Sequence, residues 1–322
     1  MSNLIDPKVS IIIPVYNGKN FLKQAIDTAV GQTYKNIEIL VVNDGSNDGG
    51  ATEKIALSYG DMVKYICKEN GGVSSALNMG IREMTGEYFS WLSHDDLYSV
   101  TKVADAIDLL YSKRMLGTAC VAYTGGYFIS AGGGRISPFK TFFESDKMYS
   151  GVEVINVMTQ KGTLNGCCML IPKKVFEKVG VFNEDLRYSQ DSLMWYQMFL
   201  AGCCLVSDNK PNVMNRWHDA QVTKTRRDLY EKDALYIAEM LVDPLMALDS
   251  NHRLFYQYLK RSTKSGCHNM VHYLIGHAKE NNIFSRSQMC KIRFFATVGG
   301  ARYSCVKFVK ALTLALFRKV KR

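Results

Sequence analysis

The sequence predicts an α/β protein: an open, mostly parallel sheet of the kind that carries helices on both faces, followed by a helical C-terminal extension. Three observations predict it. Short β-type apolar runs alternate with segments of helical period through the first hundred residues, polar loops follow the ends of those runs, and from Leu229 onward the periodicity is helical.

Val9-Ser10-Ile11-Ile12-Ile13 is a nearly continuous apolar run closed by Pro14, the pattern of a buried parallel strand opening into a loop. Residues 18–30 then place Phe21, Leu22, Ala25, Ile26 and Ala29 on one helical face. A second strand, Ile37 to Val42, stops at Asn43-Asp44-Gly45-Ser46, and Ser46-Asn47-Asp48-Gly49 supplies turn and cap chemistry before a helix through Tyr59. Val63 to Cys67 reads as a third strand and Val73 to Met84 as a third helix. The fourth strand, Tyr88 to Leu92, runs straight into Ser93-His94-Asp95-Asp96.

Two adjacent carboxylates repel unless a positive charge sits beside them, so Asp95-Asp96 points to a divalent cation that itself carries phosphate. In open parallel sheets ligands bind at the carboxyl edge of the strands. Pro14-Val15-Tyr16-Asn17, Asn43-Asp44-Gly45 and Ser93 to Asp96 all fall there, which describes a nucleotide site with Tyr16 stacking on a base and Asp44 accepting from base or ribose. Taken singly each is a turn residue, and Asp95-Asp96 alone also reads as a cap for a helix over 100–110; their joint placement is what points to a site. No G-x-x-x-x-G-K-[ST] segment occurs, and Gly71-Gly72 and Gly132-Gly133-Gly134 do not form G-x-G-x-x-G after the first strand, which disfavours P-loop and dinucleotide-dehydrogenase readings.

The chain has 322 residues, 47% of them hydrophobic, enough for one large core with an appendage. Its net charge of +10 resides entirely in residues 281–322, which hold ten Lys or Arg and no Asp or Glu. The polar opening Met1 to Lys8 lacks the form of a secretory leader, and the longest uncharged run, Met115 to Gly134, is too rich in glycine for a membrane-spanning helix. Nine cysteines include the vicinal pairs Cys167-Cys168 and Cys203-Cys204, without CxxC spacing, so reduced core thiols in a cytoplasm are expected.

The second half carries Leu164 to Ile171 as loop then strand, a helix over Lys173 to Val179 closed by Gly180, and an acid, Asp191, opening the aromatic helix Ser192 to Ala201. Asp191 is a cap, a functional carboxylate, or both. Asn215 to Thr223 is polar and unpatterned, hence a loop, in which His218 either ligates or packs near Trp217.

Val9 to Asn17, Asn43-Asp44-Gly45-Ser46, Glu69 to Gly80 and Ser93 to Asp96 resemble, in order and spacing, the nucleotide-sugar half of family 2 glycosyltransferases with the GT-A fold. Phe182-Asn183-Glu184 followed by Asp191 resembles the same family further on, where Glu-Asp is more usual than Gln190-Asp191. The resemblance implies inverting transfer of a sugar from a nucleoside diphosphate donor, usually UDP-linked, with Mn²⁺ or Mg²⁺ assisting the departing diphosphate. Carried over position by position, it implies Asp191 as general base and Asp96 with His218 as metal ligands. It implies Pro14, Tyr16, Asn17, Asp44, Ser74, Asn78, Asp95 and Arg216 around the donor, with Asp95 toward ribose or metal. Arg216, Lys224, Arg226 and Arg227 are either a lid over the diphosphate or a solvated basic loop. One departure is Ser93, where the family often has Asp.

The expected organisation is a catalytic domain over residues 1–228, with a nucleotide-sugar half to about residue 100 and an acceptor half after it, then a basic helical extension over 229–322. Cys305 to Lys321 sets Phe308, Val309, Leu312, Leu316 and Val320 opposite Lys307, Lys310 and Arg318, a face suited to an anionic membrane surface, with packing on a partner and nucleic-acid binding as competing readings. The expected function is an inverting glycosyltransferase at the inner face of the plasma membrane that extends a lipid-pyrophosphate-linked saccharide in surface-polysaccharide assembly, without nucleic acid and with a homodimer as one option. A non-catalytic nucleotide-sugar-binding or scaffold module of a polysaccharide synthase is the alternative.

Overall fold

The computed structural model describes residues 6–140, 142–219 and 227–298. These divide into two compact units, residues 1–155 with 163–225 and residues 156–162 with 226–322.

The first unit is built on one ten-stranded sheet. Its first half is β3 (Lys64–Lys68), β2 (Ile37–Asp44), β1 (Val9–Val15) and β4 (Tyr88–Trp91) in that spatial order, parallel throughout. All seven residues of β1 are buried, as its apolar run requires of a central strand. Pro14 lies inside β1 rather than ending it. It is tolerated because pairing with β4 stops at Ile12–Trp91, so the missing N–H removes no ladder bond on that side. Helix α3 (Val73–Glu83) packs on β1 so closely that a Cβ on Gly80 would lie 2.5 Å from Cγ2 of Ile12.

The second half continues from β4 through β9 (Met169–Pro172), β6 (Cys120–Ser130) and β10 (Cys204–Trp217) to β5 (Leu97–Tyr98), with β7 (Arg135–Pro138) on β6 and β8 (Lys147–Tyr149) on β10. β9 runs antiparallel to both neighbours, whereas β6 and β10 are parallel. The segment Asn215 to Trp217, expected as loop, is the end of β10, held in register on Phe128 to Ser130 of β6. Register shifts around Pro211 disguise that strand in the sequence.

Helices α1 (Leu22–Val30) and α4 (Lys102–Ser112) each bury one apolar face, and α7 (Gln190–Leu200) starts two residues before the expected Ser192. The second unit is helical, with Arg227–Ala247, Arg253–Ser262, His268–Glu280 and residues 286–298. The helix expected over Cys305 to Lys321, and the basic residues Lys224 and Arg226, lie outside the described residues. Among the described residues no helix is long and apolar enough to cross a membrane.

Candidate active site

The turn that follows β4 sends its two carboxylates to different places. Asp96 is 2% exposed, and both its oxygens accept hydrogen bonds from β10: Oδ1 from the Arg216 backbone N–H at 2.8 Å, Oδ2 from Nδ2 of Asn215 at 2.8 Å. Burial, and then the charge of Asp95, push its pKa up to about 8. The like-charge conflict between the two acids thus adds to burial in raising the Asp96 pKa. Each Asp96 oxygen takes one N–H from the strand behind it and keeps a second lone pair.

Asp95 is the more open acid of the pair. Its Oδ2 lies 2.9 Å from Nε2 of His218, and both side chains are partly open. His218 follows the last residue of β10 and its ring packs 5.0 Å from that of Phe21, so the strand end delivers the imidazole to the carboxylate. A carboxylate oxygen and an imidazole nitrogen in contact fit a hard-to-borderline divalent ion such as Mn²⁺ or Mg²⁺, with the diphosphate supplying further oxygens. Among the described residues no group of three or more His, Cys, Asp or Glu is arranged to hold an ion.

Arg216, expected to reach over the diphosphate, points into the protein instead. It is 1% exposed; Nε donates to the Asp95 carbonyl at 2.8 Å, Nη1 to the Ala131 carbonyl at 2.8 Å, and Nη2 to Oε1 of Gln24 at 2.7 Å. Its guanidinium lies 4.6 Å over the Phe21 ring. A planar fork with five donors suits this strut, which ties the Asp95–Asp96 turn to α1 and to the β6–β7 hairpin.

The other predicted donor residues sort by what their polar atoms already do. Tyr16 is 44% exposed at the carboxyl edge, free in orientation to stack. Asn17, with φ of 54°, exchanges amide hydrogen bonds with Asn47 and so splices the loops after β1 and β2. Pro14 is buried, and its carbonyl accepts from His94. Asp44 accepts from Lys68 Nζ at 2.8 Å and from the backbone N–H groups of Gly71 and Gly72 at 2.9 and 2.7 Å, which shapes the loop leading into α3. Gly72 there has φ of 87°, a conformation that favours glycine. Ser74, in the first turn of α3, is 2% exposed with its hydroxyl unpartnered.

Asn78 is committed elsewhere than to a nucleotide. Its Nδ2 donates to the Phe182 carbonyl and to Oε1 of Glu184, both at 2.8 Å, and its Oδ1 accepts from the Phe182 N–H at 2.9 Å. Both amide protons are used, so Asn78 clamps the segment that leads to Asp191 rather than offering a donor to the cleft. Arg187 adds a second clamp by donating to the Gly71 carbonyl.

Asp191 sits in the first turn of α7, after the N-cap Ser189, where the helix dipole favours a negative charge. Its Oδ1 accepts from the Ser192 N–H at 2.7 Å, while burial raises its pKa to about 6. One turn on, Trp195 is fully buried and anchored by its indole N–H on the Leu164 carbonyl at 3.1 Å. Trp195 and Trp91 meet over Gly166, where a Cβ would lie 2.6 Å from Cε3 of Trp91 and 3.0 Å from Cζ2 of Trp195. This aromatic floor joins the end of β4 to the helix bearing Asp191.

Sequence reasoning missed Asn215 and Lys102. Lys102 is wholly buried, donating to Ser90 Oγ at 2.6 Å and the Met169 carbonyl at 3.0 Å, with its ammonium 4.5 Å over the Tyr98 ring. Asn215 meets Asp96 across 119 residues and Lys102 meets Met169 across 67, separations that one sequence does not display.

A parallel half-sheet whose edge carries the Asp95–His218 contact, joined to a mixed half beside the half-buried Asp191, has the architecture of the GT-A class. Residues 10–180 match the family model described as glycosyl transferase family 2. An uncharacterised glycosyltransferase of Rickettsia typhi is 45% identical over 237 residues, 73% of this chain and 72% of the relative. Other Rickettsia relatives at 43–45% identity are matched over only 31–36% of their own length. The chain belongs to glycosyltransferase family 2. Among solved structures, S. aureus TarS 1–349 in complex with UDP-GlcNAc aligns with a TM-score of 0.60 at 15% identity, over 92% of this chain and 91% of that one. The mannosyltransferase PcManGT from Pyrobaculum calidifontis, in complex with GDP-Man and Mn²⁺, aligns at 0.52 and 17%, over 91% and 80%. Both show the shared fold.

Proposed function

We propose that the chain is an inverting, metal-assisted glycosyltransferase that moves a sugar from a UDP-linked donor to a hydroxyl of a saccharide acceptor. The observation that carries this reading is the Asp95–His218 contact of 2.9 Å at the carboxyl edge of the parallel half-sheet. Asp95 and His218 hold the divalent ion, which when bound neutralises charge on the departing diphosphate. Tyr16 lies against the base, and the loop shaped by Asp44 borders the nucleotide. Asp191 takes the proton from the attacking hydroxyl as the new bond forms on the face opposite the diphosphate. Its raised pKa suits that task, since a base near 6 is ionised at neutral pH yet holds a proton better than an ordinary carboxylate. The UDP-GlcNAc bound by TarS supports the choice of donor, and the Mn²⁺ bound by PcManGT that of ion.

A lipid-pyrophosphate-linked acceptor in surface-polysaccharide assembly, met at an anionic membrane surface, fits the basic stretch 281–322, which holds ten Lys or Arg and no acid. The test is a screen of UDP-sugars against lipid-linked and free saccharides with Mn²⁺, read by mass shift. Wild-type protein should transfer sugar only with the ion present. Asp191→Asn should lose about 10²–10⁴-fold in rate while still binding UDP. Transfer undiminished in that variant would reject Asp191 as base, and failure of wild-type protein to bind UDP with Mn²⁺ would reject the reading as a whole.

A further inference from the structure

We propose that Trp217 is the platform on which the acceptor saccharide lays the apolar face of a pyranose ring, beside the metal pair. This rests on the glycosyltransferase reading above. β10 alternates at its end: Arg216 is 1% exposed, whereas Trp217 is 53% exposed and immediately precedes His218. In the parallel register Asn215 pairs with Phe128 and Trp217 with Ser130, so these four side chains stand on one face of the sheet. That face is the one from which Asn215 holds Asp96, so the indole stands on the Asp96 side of the acidic turn, while Arg216 and His218 turn to Phe21.

The indole is backed by other rings. Phe128 meets it edge-on at 5.8 Å and 78°, and Phe139 meets Phe128 at 4.9 Å and 66°. Arg216 pins the tip of the β6–β7 hairpin next to it through the Ala131 carbonyl at 2.8 Å. Beyond the tip, all four residues of β7 are exposed, and Ser137 pairs with Phe128 on the indole's face. A large aromatic left open to water at the rim of a site, braced by other aromatics, offers a broad surface at low entropy cost. Pyranoses present C–H groups that carry slight positive charge, matched to the negative face of an indole. Tyr16, at the edge of the other half-sheet, serves the nucleobase, which leaves Trp217 to the acceptor.

Trp217 can be watched selectively, because Trp91 is 9% and Trp195 0% exposed and these are the other two of three tryptophans. Protein loaded with UDP and Mn²⁺ is titrated with methyl β-D-glucopyranoside, methyl N-acetyl-β-D-glucosaminide, methyl β-D-galactopyranoside and lactose. Indole ¹⁵N–¹H signals and acrylamide quenching are recorded, and saturation transfer scores binding independently. At least one glycoside should shift the Trp217 signal and protect it from quencher. Trp217→Ala should weaken that glycoside about ten-fold or more, and Trp217→Phe should restore most of the loss, with UDP affinity and melting temperature unchanged in both. The inference is overturned if UDP alone produces the shift, if a glycoside binds without moving Trp217, or if none of the panel binds the loaded protein. Failure of wild-type protein to bind UDP and Mn²⁺ is scored first and separately; it sinks the glycosyltransferase reading and this inference with it.

Discussion

β4 and β10 each deliver one half of the Asp95–His218 pair, and they do so by opposite means. β4 is four residues long, wholly buried, and ends in a turn whose acids follow directly in the sequence. β10 runs for fourteen residues, shifts register twice around Pro211, and depends for its position on β6, eighty-odd residues earlier in the chain. The first is local, so its residue order announces the site. The second is non-local, so its polar end looks like a loop until a neighbour pairs with it. Asp96 and Arg216 are where the two strands are fastened together, and both side chains take part in the fastening.

Separating fastening from function should give crossed effects in the two adjacent acids. Asp96→Ala strands the Arg216 N–H and the Asn215 amide in a buried place and should cost about 2–4 kcal/mol of stability, read by denaturant melts. Asp95→Ala should leave melting within about 1 kcal/mol, because the side chain is partly open, yet weaken Mn²⁺-supported UDP binding about 10–100-fold by calorimetry. If Asp96→Ala instead spared stability and abolished metal dependence, the assignment of the pair would be reversed.

The support under β4 yields the next effect. Burial lowers the pKa of Lys102 from 10.5 to about 8, so the folded chain loses this proton at lower pH than the unfolded chain does. Stability therefore rises with pH between about 8 and 10.5, and below 8 the charged amine is a liability. Lys102→Met should accordingly be more stable than wild type by about 2–3 kcal/mol at pH 7, with the gap closing by pH 10. A gap that held constant across that range would show the ammonium to be harmless.

On the acceptor side, the Asp191 carboxyl has its pKa raised from 3.8 to about 6 by burial. Being needed in its ionised form, it should make the transfer rate fall about ten-fold per pH unit below 6, the smallest of these effects near neutrality. A rate flat down to pH 5 would remove Asp191 from the proton transfer.

Much of the first half-sheet was legible because buried parallel strands write themselves as apolar runs, and β1 to β4 fall within a residue or two of their expected bounds. Helix Lys173–Val179 was legible to the residue, since Gly180 with φ of 86° ends it. Which of the edge residues face the cleft was not legible. Asn78, Asp44 and Arg216 carry polar groups that fit a nucleotide on paper, and each meets a backbone partner first: Phe182, Gly71 with Gly72, and Asp95.

By itself the residue order determined the strand–helix alternation, the polar loops at one edge, and the acidic turn, because each rests on hydrophobic period and turn chemistry within a dozen residues. Tertiary structure alone decided that Asp95 rather than Asp96 faces His218, that Arg216 is a strut, and that Trp217 stands open at the rim. The physical reason is that a buried polar atom takes whatever partner the fold brings within about 3 Å, and that partner comes from a strand far along the chain.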